Sequence, residues 1–164
     1  MIKLSIITIN YNNLSGLKKT IESVLQQSYT NFEYIIIDGN STDGSKEYIQ
    51  GLGDKFSHWV SEKDGGVYNA MNKGILKATG EYCLFLNSGD YLVNTGILEN
   101  VFKSNPKADI VYGDMILEDA TNNRTLSQQP STLTFEHFLS STVWHPVSFI
   151  KRSLFSKYGL YNEE

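Results

Sequence analysis

A chain of 164 residues with a single cysteine cannot close an internal disulfide, so covalent cross-links contribute nothing to its fold. That residue, Cys83, sits inside the apolar run EYCLFLN and reads as a small buried hydrophobe rather than a nucleophile or metal ligand. A reducing compartment fits. Long apolar stretches are missing too: none approaches the roughly 20 residues needed to cross a bilayer. The opening MIKLSIITIN is too short and too strand-like for a secretory leader. The expectation is a cytoplasmic chain that meets the inner face of a membrane only through its substrate.

Basic clusters are also absent. With 14 Lys and Arg against 18 Asp and Glu, the net charge is -4, which argues against nucleic acid as a partner. A phosphate-bearing ligand would need a metal or backbone amides instead. No internal repeat, low-complexity tract or long linker divides the sequence. One domain over residues 1–164 is expected, with 1–105 and 106–164 sharing a core.

What is present is apolar material in short runs. The chain is 40% hydrophobic and 12% aromatic, ample for one core. LSIITI reads as a first buried strand, and Leu14, Leu17, Ile21, Val24 and Leu25 recur at helical spacing, predicting a helix over 14–27. YIIID is a second strand. It leads into GNSTDGS, where Ser41 or Thr42 is placed to cap a helix starting near Asp43. A short strand around 58–61, a helix marked by Ala70, Met71, Gly74, Ile75 and Ala78, and the strand YCLFLN follow.

Strands apolar on both faces and alternating with helices predict an α/β fold with a mostly parallel sheet sandwiched by helices. Such sheets bind ligands beyond their carboxyl ends. Loops 10–13, 38–43 and 87–90 are therefore expected at one edge. Beyond Pro106 the pattern becomes less regular: a strand DIVYGDM, a hairpin through 119–124, a short amphipathic helix TFEHFL and the segment HPVSFIKRSLF. Trp59, Trp144 and the face Phe135, Phe138, Leu139 are expected in the core.

Each loop has an ordinary reading. Asp38 is a turn or capping carboxylate among turn formers, Asp64 a helix cap, Lys73 a residue on a solvated face and Asp90 part of a Ser-Gly-Asp turn. Gly65 and Gly66 let the backbone approach a ligand, and the helix after them offers unpaired N–H groups. A lone His145 is more often structural, although it and Asp114 are also candidate acceptor-side or metal-side groups.

Four segments in this order at strand ends, TINYNN, IIIDGNSTDGS, EKDGGVYNAMNKGI and FLNSGD, together resemble glycosyltransferase family 2. The resemblance covers essentially the whole chain and is strongest over residues 4–92; HPVSFIKRSLFSKYG resembles the later acceptor-side segment. It implies the A-type glycosyltransferase fold of nucleotide-diphospho-sugar transferases and an inverting transfer. The sugar would move from a nucleoside-diphosphate sugar, UDP favoured, to a glycan or lipid-linked acceptor in polysaccharide biosynthesis. By the same resemblance Thr8, Asn10 and Tyr11 line the nucleotide pocket, with Tyr11 near the base and Asp38 accepting from the base imide. Asp64, Asn72 and Lys73 lie on the nucleotide side.

Where the family carries two aspartates for metal, this sequence has Asn87 and Gly89, leaving Asp90 as the carboxylate for Mg²⁺ or Mn²⁺ and Asn87 as a neutral helper. Asp90 and His145 are the catalytic candidates. The resemblance implies a general base, a carboxylate, beyond the stretch matched by HPVSFIKRSLFSKYGLYNEE and so beyond residue 164; the end at YNEE, directly after a helix and the Gly159 turn, reads as a C-terminal truncation. Two other functions fit parts of the pattern. A sugar-1-phosphate nucleotidyltransferase would need a Gly- and Arg-rich opening loop, which TINYNN is not; a non-catalytic sugar-nucleotide-binding module would explain the reduced metal pair.

Overall fold

The computed structural model describes residues 3–164. Four strands, β1 (Leu4–Asn10), β2 (Phe32–Asp38), β3 (His58–Ser61) and β4 (Tyr82–Asn87), run parallel. β8 (Ser148–Lys151) pairs antiparallel with β4, and β5 (Ile110–Tyr112) antiparallel with β8, giving the order β3-β2-β1-β4-β8-β5. The expected α/β sheet, mostly parallel and covered by helices, is what forms.

Alternation along the strands explains the two cores. Ile6, Tyr34 and Leu84 point to one face, where Leu17, Ile21 and Val24 of α1 (Leu14–Leu25) cover them with Ile49 of α2 (Ser45–Gly51). Ile7, Ile35 and Phe85 point to the other, beneath Ala70, Met71 and Ile75 of α3 (Val67–Lys77). Each such side chain taken fully out of water stabilises the fold by about 2 kcal/mol, and Cys83 lies buried among them as expected. α3 packs against β1 so closely that a Cβ on Gly74 would come within 2.4 Å of Ile7 Cγ2.

The later half adds to the same sheet. Phe149 of β8 packs edge-on against Phe102 of α4 (Ile97–Phe102), their ring centroids 5.4 Å apart. Outside the sheet, β6 (Met115–Glu118) and β7 (Arg124–Ser127) form the expected hairpin, its turn held by N–H groups of Thr121 and Asn123 donating to Asp119.

Four local expectations change. The first helix ends at Leu25 rather than 27, and Leu25 faces solvent. α2 begins at Ser45 behind Gly44 with neither Ser41 nor Thr42 as its cap, because Ser41 is committed to the β1 and β2 loops and Asp43 accepts from the N–H groups of Leu14 and Ser45. DIVYGDM breaks at Gly113 into β5 and β6. In α5 (Phe135–Ser140), Phe135, Phe138 and Leu139 are exposed by 79%, 51% and 72% instead of entering the core: the apolar stripe exists, but nothing in the described chain covers it. Trp59 does pack against the core, partly buried.

Candidate active site

The sheet changes direction at β1. The β1-to-β2 connection runs through α1 on one face and the β3-to-β4 connection through α3 on the other, which opens a crevice at the carboxyl ends of β1 and β4. Strand register brings Asn10 beside Asp38, Asp38 beside Ser61 and Ile9 beside Asn87. The three loops expected at one edge therefore meet there.

Hydrogen bonds knit them together. Asn10 Nδ2 donates to Asp38 Oδ1 (2.7 Å), and Ser88 Oγ donates to Asn10 Oδ1 (2.7 Å). Asn13 Nδ2 reaches the Ser88 carbonyl while its Oδ1 caps α1 at Gly16. Thr20, buried on the core face of α1, donates to the Asp90 carbonyl (2.7 Å) and accepts from Gly89 N–H (2.9 Å), fixing the turn after β4. Sequence reasoning missed Asn13, Ser61 and Thr20. The signal for Thr20 was a hydroxyl at a core-facing position of an apolar stripe, which needs a partner when buried.

Asp38 is wholly buried. One oxygen accepts from Asn10 and the Ser41 hydroxyl, the other from Ser41 N–H and the Ser61 hydroxyl, which fills the acceptor sites of a carboxylate. Burial pushes its carboxyl up, but the donors from Ser41, Ser61 and Asn10 outweigh this and hold it below the usual range. Asp38 thus ties the ends of β1, β2 and β3 together, its acceptor sites used by Asn10, Ser41 and Ser61. Thr8 is fully buried, its hydroxyl 3.0 Å from Tyr34 OH.

The accessible groups are Tyr11, 69% exposed, and the half-buried Asp64. Both border the bare backbone of Gly39: an added Cβ there would lie 2.8 Å from Asp64 Oδ2 and 3.2 Å from Tyr11 Cδ2. Asp64 Oδ1 accepts Gly66 N–H (3.0 Å), which braces the turn before α3 without capping the helix itself.

Asn72 and Lys73, neighbours on α3, reach different partners. Buried Asn72 donates to the carbonyl of Tyr161 and to Glu163 and accepts from Tyr161 N–H, while Lys73 pairs with Glu62 (2.7 Å). Lys73 also donates to the Lys63 carbonyl (3.3 Å), beside Asp64. A helix residue faces what its register dictates, and one step separates the two.

Across the crevice, Asp90 Oδ2 accepts Asn87 N–H (3.0 Å), and Asn87 Nδ2 lies 3.1 Å from His145 Nε2. His145 sits in a one-turn 3₁₀ segment, His145–Val147, packed on β4. Burial pushes the Asp90 carboxyl up against the Asn87 N–H and the charge of His145; burial likewise pushes the His145 imidazole down, opposed by Asp90. Asn87 Oδ1 is buried without a partner. An orphaned oxygen beside a carboxylate suits a hard cation. No group of three or more His, Cys, Asp or Glu residues that could hold a metal occurs among the described residues, so phosphate and water oxygens would complete any coordination shell.

This fold is shared by solved glycosyltransferases. Staphylococcus aureus TarS 1–349, solved in complex with UDP-GlcNAc, superposes with a TM-score of 0.75 at 21% identity, over 95% of this chain and 47% of that one. The mannosyltransferase PcManGT of Pyrobaculum calidifontis, solved with GDP-Man and Mn²⁺, gives 0.74 at 17% identity, over 99% and 48%. The fold is the A-type glycosyltransferase fold. The chain itself belongs to glycosyl transferase family 2, whose model matches residues 5–159. An uncharacterized glycosyltransferase of Mycobacterium tuberculosis is 34% identical over 165 aligned residues, 96% of this chain and 62% of that protein. The chain thus spans about three-fifths of the length of that relative.

Proposed function

We propose that this chain forms the donor half of an inverting glycosyltransferase that moves a sugar from a nucleoside-diphosphate sugar, UDP favoured, to a hydroxyl of a glycan or lipid-linked acceptor. The observation that carries this reading is the pairing of Tyr11 with Asp64 over the bare backbone of Gly39, in the crevice that also holds Asp90 and Asn87. An aromatic face and a carboxylate oxygen suit a base with an imide N–H, so Asp64 takes the part that resemblance gave to Asp38. A UDP-sugar is the ligand of TarS, which shares the fold.

The chemistry follows from placement. The N-terminus of α3 carries no side-chain cap, and its N–H groups and positive end favour a diphosphate. Asp90 and Asn87 Oδ1 would hold Mn²⁺ or Mg²⁺, which when bound would offset charge on the departing diphosphate. His145, 3.1 Å from the Asn87 amide, orients Asn87. Glu163 is committed to Asn69 and Asn72 and is not assigned as the acceptor-activating base. The cytoplasmic face of a membrane suits a lipid-linked acceptor; no helix among the described residues is long and apolar enough to cross one.

A thermal-shift panel of UDP-, GDP- and TDP-sugars, with and without Mn²⁺, tests the reading. A ligand at one hundred times its Kd should add about 2.7 kcal/mol of stability. UDP-sugars with Mn²⁺ should stabilise most; failure of every nucleotide to shift the transition would refute the donor site.

A further inference from the structure

The stretch 161–163 is strapped to α3 by polar contacts for which the donor site alone gives no reason. Asn69 and Asn72 stand three apart, on one face of the helix. Asn69 Nδ2 donates to Glu163 Oε2 (2.7 Å) and Asn72 Nδ2 to Glu163 Oε1 (2.7 Å), so one carboxylate spans both amides. Asn72 also exchanges two bonds with the Tyr161 backbone, at 2.9 and 3.0 Å. Beneath them the Tyr161 ring packs against Phe85, Phe155 and Tyr68.

The other end of Asn69 reaches the donor loop: its Oδ1 accepts Gly65 N–H (3.1 Å). Gly66 next to it has φ +112, a conformation side chains rarely adopt; Asp64 accepts Gly66 N–H, Ala70 N–H donates to the Gly66 carbonyl and Lys73 donates to the Lys63 carbonyl, but Gly65 N–H rests on Asn69. An amide with Oδ1 on Gly65 and Nδ2 on Glu163 cannot rotate without losing both bonds. Glu163 therefore fixes the orientation in which Asn69 supports the turn carrying Asp64.

We propose that Glu163 is a positioning residue, acting through Asn69 to hold the 64–66 turn in the form that receives the nucleotide. This deepens the donor-site reading and rests on it for its consequence, though the strap itself does not. The coupling is reciprocal: a nucleotide that orders the turn tightens the strap by the same factor.

Two measurements on the whole protein separate the claims. In ligand-free protein, Glu163→Ala should raise amide hydrogen exchange at Gly65 about tenfold, and Glu163→Gln, which keeps one acceptor, should fall between it and wild type. By calorimetry, Glu163→Ala should weaken UDP binding about fivefold, and adding it to Asn69→Ala should cost little more, because both cut one path. Unchanged Gly65 exchange in Glu163→Ala, or fully additive losses in the double variant, would overturn the proposal. Wild-type protein that fails to bind UDP would remove the donor reading, and Gly65 exchange would then decide the strap alone.

Discussion

Asn10 Nδ2 and Asp38 Oδ1, 2.7 Å apart, join the last residues of two neighbouring parallel strands at a position where their backbones are already in register. The bond lies wholly inside the protein, so Asp38 matters to the fold before any ligand arrives.

Asp38→Ala should accordingly destabilise the ligand-free protein by about 3 kcal/mol, because Ser41 N–H, the Ser61 hydroxyl and the Asn10 amide lose a buried charged acceptor. Urea unfolding without nucleotide measures this. A variant as stable as wild type but unable to bind UDP would return Asp38 to the base-recognition role.

Glu33 is the matching carboxylate near the opposite end of the strands. Buried, it accepts from Ser5, from the N–H and hydroxyl of Thr79 and from Gly80 N–H. Burial pushes its pKa up, and the donors from Ser5, Thr79 and Gly80 more than reverse this, holding it below the ordinary value. A folded pKa below the unfolded one means stability that is full above the unfolded value of about 4.3 and is lost as pH falls through the folded one. Glu33→Gln should cost about 2 kcal/mol at pH 7 and flatten the acid limb of the stability curve. Parallel curves for variant and wild type below pH 5 would contradict this.

These two carboxylates show where sequence reading stops. The strands, their burial on both faces and the meeting of loops 10–13, 38–43 and 87–90 were legible, because a run such as YIIID admits one placement and strand order fixes which loops share an edge. Which way a polar side chain turns was not. Asp38 and Asp64 both precede a glycine at or just after a strand end, yet one is walled in by Ser41 and Ser61 and the other borders Gly39, a difference set by strand register and loop packing. Asn72 and Lys73 part for a similar reason, and the stripe on α5 announced a need for cover without naming what supplies it.

Gly74 tests the packing that brings α3 to the crevice. Alanine is ordinarily the better helix residue by about 1 kcal/mol. Here its Cβ would meet Ile7 Cγ2 at 2.4 Å, in the middle of the core. Overpacking of this kind costs about 1–3 kcal/mol, so Gly74→Ala should lower the unfolding midpoint despite its helix propensity. Gly74→Ala with Ile7→Ala, which removes the opposing Cγ2, should cost less than the sum of the two single changes; a single Gly74→Ala variant more stable than wild type would contradict the close approach.

Gly39 offers the cleanest separation of binding from folding. An alanine Cβ there would lie 2.8 Å from Asp64 Oδ2 and 3.2 Å from Tyr11 Cδ2, and no positive φ forbids the substitution. Both obstructing atoms belong to side chains at the protein surface or half-buried beside it, so the backbone can stay while Tyr11 and Asp64 swing aside. Global stability should therefore change by less than about 0.5 kcal/mol. Nucleotide affinity should fall about tenfold, roughly 1.4 kcal/mol, because the aromatic face and the carboxylate oxygen no longer converge on one ring. Calorimetry with UDP, run beside Tyr11→Ala and Asp64→Asn, measures the loss. If Gly39→Ala binds UDP as wild type does while either neighbour's variant fails, the nucleotide does not depend on their convergence over Gly39, and the base pocket must be sought elsewhere along the crevice.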